Sequence, residues 1–223
     1  VMRVKLRSLN ESMRFWPGQY VTFGSVNDGI PNRCYSIANI PNQEGEIVLF
    51  ITKIEDGKTS KWVHEILHEG MSVKLNGPYG TFVGDPSSEK PVLCLAAGSG
   101  LAPIRSLASA AMLRGGFKYP ATIIFSAKTK NDLLDVGHFK FLEKKFDNFS
   151  FKETLTREDN PNGLTGRIPE ILGDLYPDLS NYSIYIAGSV DFVKNCEEAA
   201  RKLKAQEELI HTEKFVDQEL TPN

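Results

Sequence analysis

A chain of 223 residues, 41% hydrophobic and 24% charged with a formal net charge of −2, has room for two domains of about 90 to 130 residues, each with its own core. Its basic residues are scattered, which leaves no electrostatic footprint for nucleic acid or a membrane surface. Three cysteines, Cys34, Cys94 and Cys196, lie far apart, so neither a disulfide framework nor iron–sulfur ligand spacing is present, and a reducing, cytoplasmic setting is expected.

The chain opens on Val1, directly in an alternating strand over 2–6, which sets the expectation of a fragment or of a barrel lacking its first strand. Further short strands follow over 19–23, 34–38 and 47–54, broken by Pro, Gly and Asn in the manner of an antiparallel barrel. A helix over 60–69, closed by Gly70, interrupts them. From Lys90 the rhythm becomes strand and helix in turn: strands at 92–97, 121–127, 149–155, 183–187 and 209–215, helices at 103–114, 138–146, 168–175 and 190–206. That alternation predicts a five-stranded, doubly wound parallel sheet. The boundary falls in the polar segment 85–89, giving domains 1–88 and 89–223. The longest apolar stretch, 92–97, is far below the ~20 residues of a membrane-spanning helix, and no signal peptide is visible.

Two segments carry chemistry. Arg33-Cys34-Tyr35-Ser36 offers a cation for a phosphate, a ring for a flat heterocycle and a hydroxyl donor. Gly98-Ser99-Gly100-Leu101-Ala102-Pro103 ends an apolar strand and opens a helix, where backbone N–H groups and the helix dipole receive a pyrophosphate. Pro103 at the first helical position loses no hydrogen bond. Gly57-Lys58-Thr59-Ser60 opens the short helix after a strand, with Ser60 and neighbouring amides placed to cap it and to hold phosphate together.

Together these segments resemble the ferredoxin–NADP reductase family, nearest in type to the FAD/NAD(P)H reductase module of bacterial oxygenase reductases and to flavin reductases. The match covers the RxYS strand, the Gly-x-x-Ser turn, the GPxG loop at Gly77-Pro78-Tyr79-Gly80 and the GxGxxP turn. The resemblance implies a Greek-key flavin-binding barrel followed by a nicotinamide-binding sheet. It implies FAD held by Arg33 at the phosphates, by Tyr35 on the isoalloxazine ring and by Ser36 at the ring nitrogen that accepts the hydride. Strand alternation then turns Cys34 the other way. Ile51, Lys53, Gly57, Thr59 and Ser60 complete the expected FAD set.

The expected nicotinamide set is Gly98, Ser99, Gly100, Pro103, Ser126, Lys128, Ala187, Gly188 and Phe215. The segment Tyr185-Ile186-Ala187-Gly188-Ser189 stands where the family often has CGPP, so Ala187 replaces a thiol. Glu213 and Phe215 in His211-Thr212-Glu213-Lys214-Phe215 match a family ending that approaches the flavin, which makes Glu213 a catalytic candidate beside Tyr35 and Ser36. NADH and NADPH both remain open: Ser126, Lys128 and Thr129 suit a 2′-phosphate, whereas Asp132 suits a free ribose, and the oxygenase-reductase resemblance tilts toward NADH.

The function implied is hydride transfer from NAD(P)H to FAD, with electrons passed to an iron–sulfur, haem or oxygenase partner or to an upstream ferredoxin domain. Three other readings stand beside it: a free-flavin reductase, a non-catalytic nucleotide-binding module and a zinc peptidase. The last rests on His64-Glu65-Ile66-Leu67-His68, literally HExxH, with Glu89 as the conceivable third ligand. No metal is expected in the leading reading.

Overall fold

A computed structural model describes residues 1–9, 12–26, 29–161 and 163–216. The first half contains strands β1 (Met2–Arg7), β2 (Tyr20–Ser25), β3 (Arg33–Ser36), β4 (Glu46–Ile51) and β5 (Val73–Tyr79), with helix α1 (Lys58–Glu65) between β4 and β5. β1 pairs antiparallel with β4, and β3-β2-β5 form a second antiparallel sheet. A bridge between Ile37 and Leu49 joins the two sheets, so the order around the barrel is β1-β4-β3-β2-β5.

The sequence Glu46-Ile47-Val48-Leu49-Phe50-Ile51 is buried along its whole length because it serves two cores. Ile47, Leu49 and Ile51 alternate into the barrel with Val21, Phe23 and Trp62. Val48 and Phe50 face outward, where they meet Ala38 and Ala102 of the second half in a separate apolar cluster. The two halves therefore share buried surface across β4.

The second half carries β6 (Val92–Ala97), α2 (Leu101–Leu113), β7 (Ala121–Ala127), α3 (Val136–Lys145), β8 (Phe149–Leu155), β9 (Leu164–Thr165), α4 (Ile168–Leu175), β10 (Ser183–Ser189), α5 (Val190–Lys202) and β11 (Ile210–Phe215). The sheet order is β11-β10-β6-β7-β8-β9, parallel throughout. One core lies on the α2 and α3 face around Ile104, Phe125 and Phe139. The other lies on the α4 and α5 face around Leu95, Leu172 and Val193. All five expected strands are present, and a sixth of two residues, β9, extends the edge; a pair that short has no periodicity to read.

Winding proceeds from β6 outward through β7 and β8, then returns to β10 on the other side. The direction of winding thus reverses between the parallel neighbours β6 and β10, and in open parallel sheets that crevice at the carboxyl ends is where ligands bind. Among the described residues no helix is long and apolar enough to cross a membrane.

Helix ends depart from the sequence expectation: α3 starts two residues earlier than 138 and α5 stops at Lys202, short of 206, and α1 and α2 depart as well. α1 spans Lys58–Glu65 and not 60–69, because the N–H groups of Ile66 and Leu67 both turn back onto the Trp62 carbonyl and the chain leaves the helix there. Gly70, at φ +92, serves the following turn and is not the helix cap. α2 starts at Leu101, carried forward by a 3-10 turn over Gly98–Gly100, so Pro103 stands third in the helix and still within the turn whose N–H groups lack helical partners.

Candidate functional site

A cleft of about 990 Å³ runs between the halves, walled by β3, the start of α1, the Gly80-Thr81 turn, Ser99 and β11. That is at the upper end of the roughly 300–1,000 Å³ of small-molecule sites, suited to an elongated ligand.

The barrel wall is β3. Arg33 faces the cleft with one guanidinium nitrogen on the Asn32 carbonyl at 3.1 Å. Among the described residues no carboxylate pairs with Arg33. Tyr35 lies edge-on to Phe23 with ring centroids 5.9 Å apart, and burial pushes its phenol up to about 12. It is therefore a neutral ring at physiological pH. Ser36 is buried, and its Oγ donates to Glu213 Oε1 at 2.9 Å.

Cys34 departs from expectation. It is exposed and lines the same cleft, because Ser36 is on its face of the strand and both faces of β3 border the opening. Tyr20 opposite Ser36 on β2 joins this wall, although alternation alone did not single it out. Its phenol is pushed up by burial, with Cys34 and Glu213 adding to the effect.

The start of α1 is the part of the cleft where the sequence predicts a phosphate. Gly57, Lys58, Thr59 and Ser60 all border the cleft, and the first N–H groups of a helix lack intrahelical acceptors. The expected cap is absent: α1 has no side-chain cap hydrogen bond. Ser60 Oγ instead accepts from the Ile54 N–H at 3.0 Å and reaches the Gly57 carbonyl at 3.1 Å. Thr59 Oγ1 donates to the Pro31 carbonyl at 2.5 Å. These hydroxyls brace the loop.

The opposite wall comes from the crevice between β6 and β10. A Cβ on Gly100 would stand 2.2 Å from the Ala187 carbonyl oxygen and 2.8 Å from the Gly188 nitrogen. Only glycine permits this approach of two backbones. Ser99 reaches the cleft itself; Gly98 beside it is exposed, and Pro103, Ala187 and Gly188 are buried and do not border the cleft.

β11 closes the site with Thr212, Glu213, Lys214 and Phe215. Burial pushes the Glu213 carboxyl from 4.5 up to about 7, against the Ser36 hydrogen bond, which lowers it. The folded protein thus holds a proton that an unfolded carboxyl has released. Stability from this group is present below about pH 4.5 and is lost as pH rises through about 7. Glu213→Gln is expected to raise Tm at pH 8 by a few degrees and leave it nearly unchanged at pH 4. An unaltered pH profile of Tm contradicts a neutral Glu213.

Several candidates stand apart. Ile51 points into the barrel core at 0% exposure. Lys53 is ion-paired with Glu65 at 2.7 Å. Neither side chain borders the cleft. Ser126, beside Ala97 in the sheet, and the exposed Lys128 lie at the carboxyl end of β7. There the Thr129 hydroxyl donates to Asp132 Oδ2 at 2.8 Å in a capping box, and neither residue lines the cleft.

The HExxH spacing is not helical in the folded chain. α1 ends at Glu65, and His68 lies beyond it with Nδ1 at 3.1 Å from the Ile66 carbonyl. His64 Nε2 is bonded to the Ile51 carbonyl at 2.9 Å and Glu65 to Lys53, so the arrangement that a zinc peptidase requires is not formed.

Residues 1–83 match the oxidoreductase FAD-binding domain family, and residues 94–198 the oxidoreductase NAD-binding domain family. The chain is 27% identical over 215 residues to the ferredoxin–NAD(P)(+) reductase component of the naphthalene 1,2-dioxygenase/salicylate 5-hydroxylase systems of a Ralstonia species, covering 96% of this chain and 63% of that protein. It is 29% identical over 218 residues to ferredoxin–NADP reductase B of Sorangium cellulosum, covering 94% and 88%. A crystal structure of a cytochrome P450 reductase from Amycolatopsis superposes with a TM-score of 0.88 at 27% identity, covering 96% of this chain and 64% of that one. The chain thus spans a little under two thirds of the Ralstonia and Amycolatopsis proteins.

Proposed function

Because the chain belongs to the ferredoxin reductase-like oxidoreductases that join a FAD-binding to a NAD-binding domain, we propose that it is an NAD(P)H-dependent FAD reductase serving a protein electron acceptor. FAD bound in the cleft supplies the site that takes a hydride from NADH or NADPH and releases electrons to an oxygenase, a haem protein or a ferredoxin, the last on a separate chain or as a linked domain. The observation that carries this reading is the meeting of Ser36 on the barrel with Glu213 on the last strand, 2.9 Å apart, in the cleft that Ser99 also lines. A flat ring held by the barrel and a nucleotide held by the glycine turn would meet there.

The donor set fits such a ligand. Arg33 and the amides opening α1 neutralise phosphate charge, a neutral Tyr35 gives the ring a stacking surface, and Ser36 supplies an O–H at the buried end. Gly100 lets the pyrophosphate turn seat against Ala187 and Gly188. Phe215, which lines the cleft at the end of β11, would shield the ring face that a nicotinamide must reach. Glu213, whose carboxyl burial pushes up to about 7, is poised to give or take a proton within reach of Ser36. We assign the protein to the cytoplasm, in keeping with three free thiols.

Removing the cation tests the phosphate end. A charge-assisted hydrogen bond contributes about 1.5–3 kcal/mol, so Arg33→Ala is expected to weaken FAD binding roughly 10- to 100-fold in a fluorescence-quench titration. Equal affinity in the variant contradicts the assignment.

A further inference from the structure

Outside the cleft, one buried group joins the two halves. Arg105 on α2 is 8% exposed. Its Nη1 donates to the Ala38 carbonyl of the barrel at 2.7 Å, and its Nε bonds to Asp135 Oδ2. The other oxygen of Asp135 accepts from Arg3 Nη1 on β1 at 3.1 Å. One carboxylate therefore ties a cation from each half.

The next residue repeats the connection, since Ser106 Oγ donates to the Asn39 carbonyl at 2.8 Å. Farther along, Arg114 at the end of α2 donates to the Pro41 carbonyl. Three side chains of one helix thus grip the carbonyls of Ala38, Asn39 and Pro41. These hydrogen bonds surround the apolar contact of Ala38, Val48 and Phe50 with Ala102.

Asp135 departs from the ordinary economy of a helix start. It stands at the N-cap of α3, where an Asp side chain normally accepts from its own helix, yet no such bond is made. Its backbone is held at φ +51, a region that non-glycine residues seldom occupy. Helix stability is given up to hold two arginines.

We propose that Arg105, oriented by Asp135, is a positioning residue that fixes the angle between the halves and so sets the separation of the two ring sites. The placement carries the argument. Ala38 is just beyond Ser36 on one segment, and Arg105 lies five residues beyond Gly100, about 7.5 Å at 1.5 Å per residue. The clamp joins the segment that follows the flavin-side donor to the helix that follows the nucleotide turn. A slip there changes the distance between the sites directly, and a misplacement of about 1 Å costs roughly 100-fold in rate.

The consequence for catalysis rests on the reductase reading; the clamp itself does not. Amide hydrogen exchange of the purified protein without added cofactor is the first readout. Arg105→Ala is expected to speed exchange at least 10-fold in peptides covering 33–46 and 98–113, with peptides from the α4 and α5 face unchanged. In FAD-loaded protein the same variant is expected to lower kcat at least 10-fold, with KM for the nucleotide and FAD affinity within 2-fold. Arg105→Lys, which cannot bond Asp135 and Ala38 together in the same planar fork, falls between. Arg3→Ala, which removes a partly exposed ion pair to Asp135 and keeps the Arg105–Ala38 bond, is expected to lower kcat less than Arg105→Lys does.

Should Arg105→Ala not fold, Ser106→Ala carries the same test, with at least 3-fold faster exchange over 33–46. Unchanged exchange in the folded variants overturns the clamp. A lowered Tm with kcat kept, or a loss confined to KM, overturns its positioning role. A wild-type protein whose FAD neither nucleotide bleaches defeats the reductase reading instead, and the exchange result still decides the clamp.

Discussion

Replacing Ser36 with Ala is expected to slow NAD(P)H-dependent bleaching of FAD by 100-fold or more in anaerobic stopped-flow traces, while FAD binding changes less than 3-fold. The reason lies in what the hydroxyl touches. Ser36 is buried at the end of β3 and donates to a carboxyl across the domain boundary at 2.9 Å. A preorganised donor facing developing charge in a water-poor site is worth roughly 10²–10³ in rate. Deletion also strips Glu213 of the one interaction that lowers its pKa, leaving burial to act alone. The pH dependence of the residual activity should accordingly move upward from about 7. A variant that is reduced at the wild-type rate, with an unmoved pH profile, contradicts the role of Ser36.

Gly100→Ala is expected to produce a loss of similar size from the opposite wall, with nucleotide turnover falling 100-fold or more and FAD affinity kept. The added Cβ would meet the Ala187 carbonyl oxygen at 2.2 Å, its carbon at 2.5 Å and the Gly188 nitrogen at 2.8 Å. All three are backbone atoms at the switch point of the sheet, so no rotamer change relieves the clash. The turn must lift by about 1 Å, the displacement for which a rate loss near 100-fold is typical. Gly98→Ala is the comparison: at φ +55 it bears backbone strain, but no atom lies within 4 Å of the new carbon. Wild-type kinetics for Gly100→Ala would remove the turn from the site.

Much of this was legible before folding, because local chemistry carries it. Alternation along β2 and β3 and the apolar run of β6 before the glycine turn are patterns of a few residues, and each forms where it was expected. What sequence could not show is tertiary. Arg105 lies in a helix that otherwise reads as an apolar face against the sheet, and nothing local says that its partner is a carbonyl on the other half. The hydroxyl of Ser60 suits a cap equally well in sequence, but the loop over 54–57 offers it nearer partners. Cys34 was assigned to the far side because alternation was applied to a flat strand, whereas an edge of β3 exposes both faces to one cleft. The HExxH match failed for a related reason: a motif assumes its helix, and α1 ends three residues too early to carry His68.

The central claim, that one cleft unites a flavin held by β3 and α1 with a nicotinamide nucleotide held by the turn after β6, is tested most directly by the visible spectrum of FAD-loaded protein. The spectrum is taken anaerobically, before and after one equivalent of NADH and, in a second cuvette, of NADPH. The account predicts that the flavin bands bleach within seconds with at least one nucleotide and return on admitting oxygen. A protein that binds FAD and keeps its bands with both nucleotides, or one that binds no FAD at all, contradicts it.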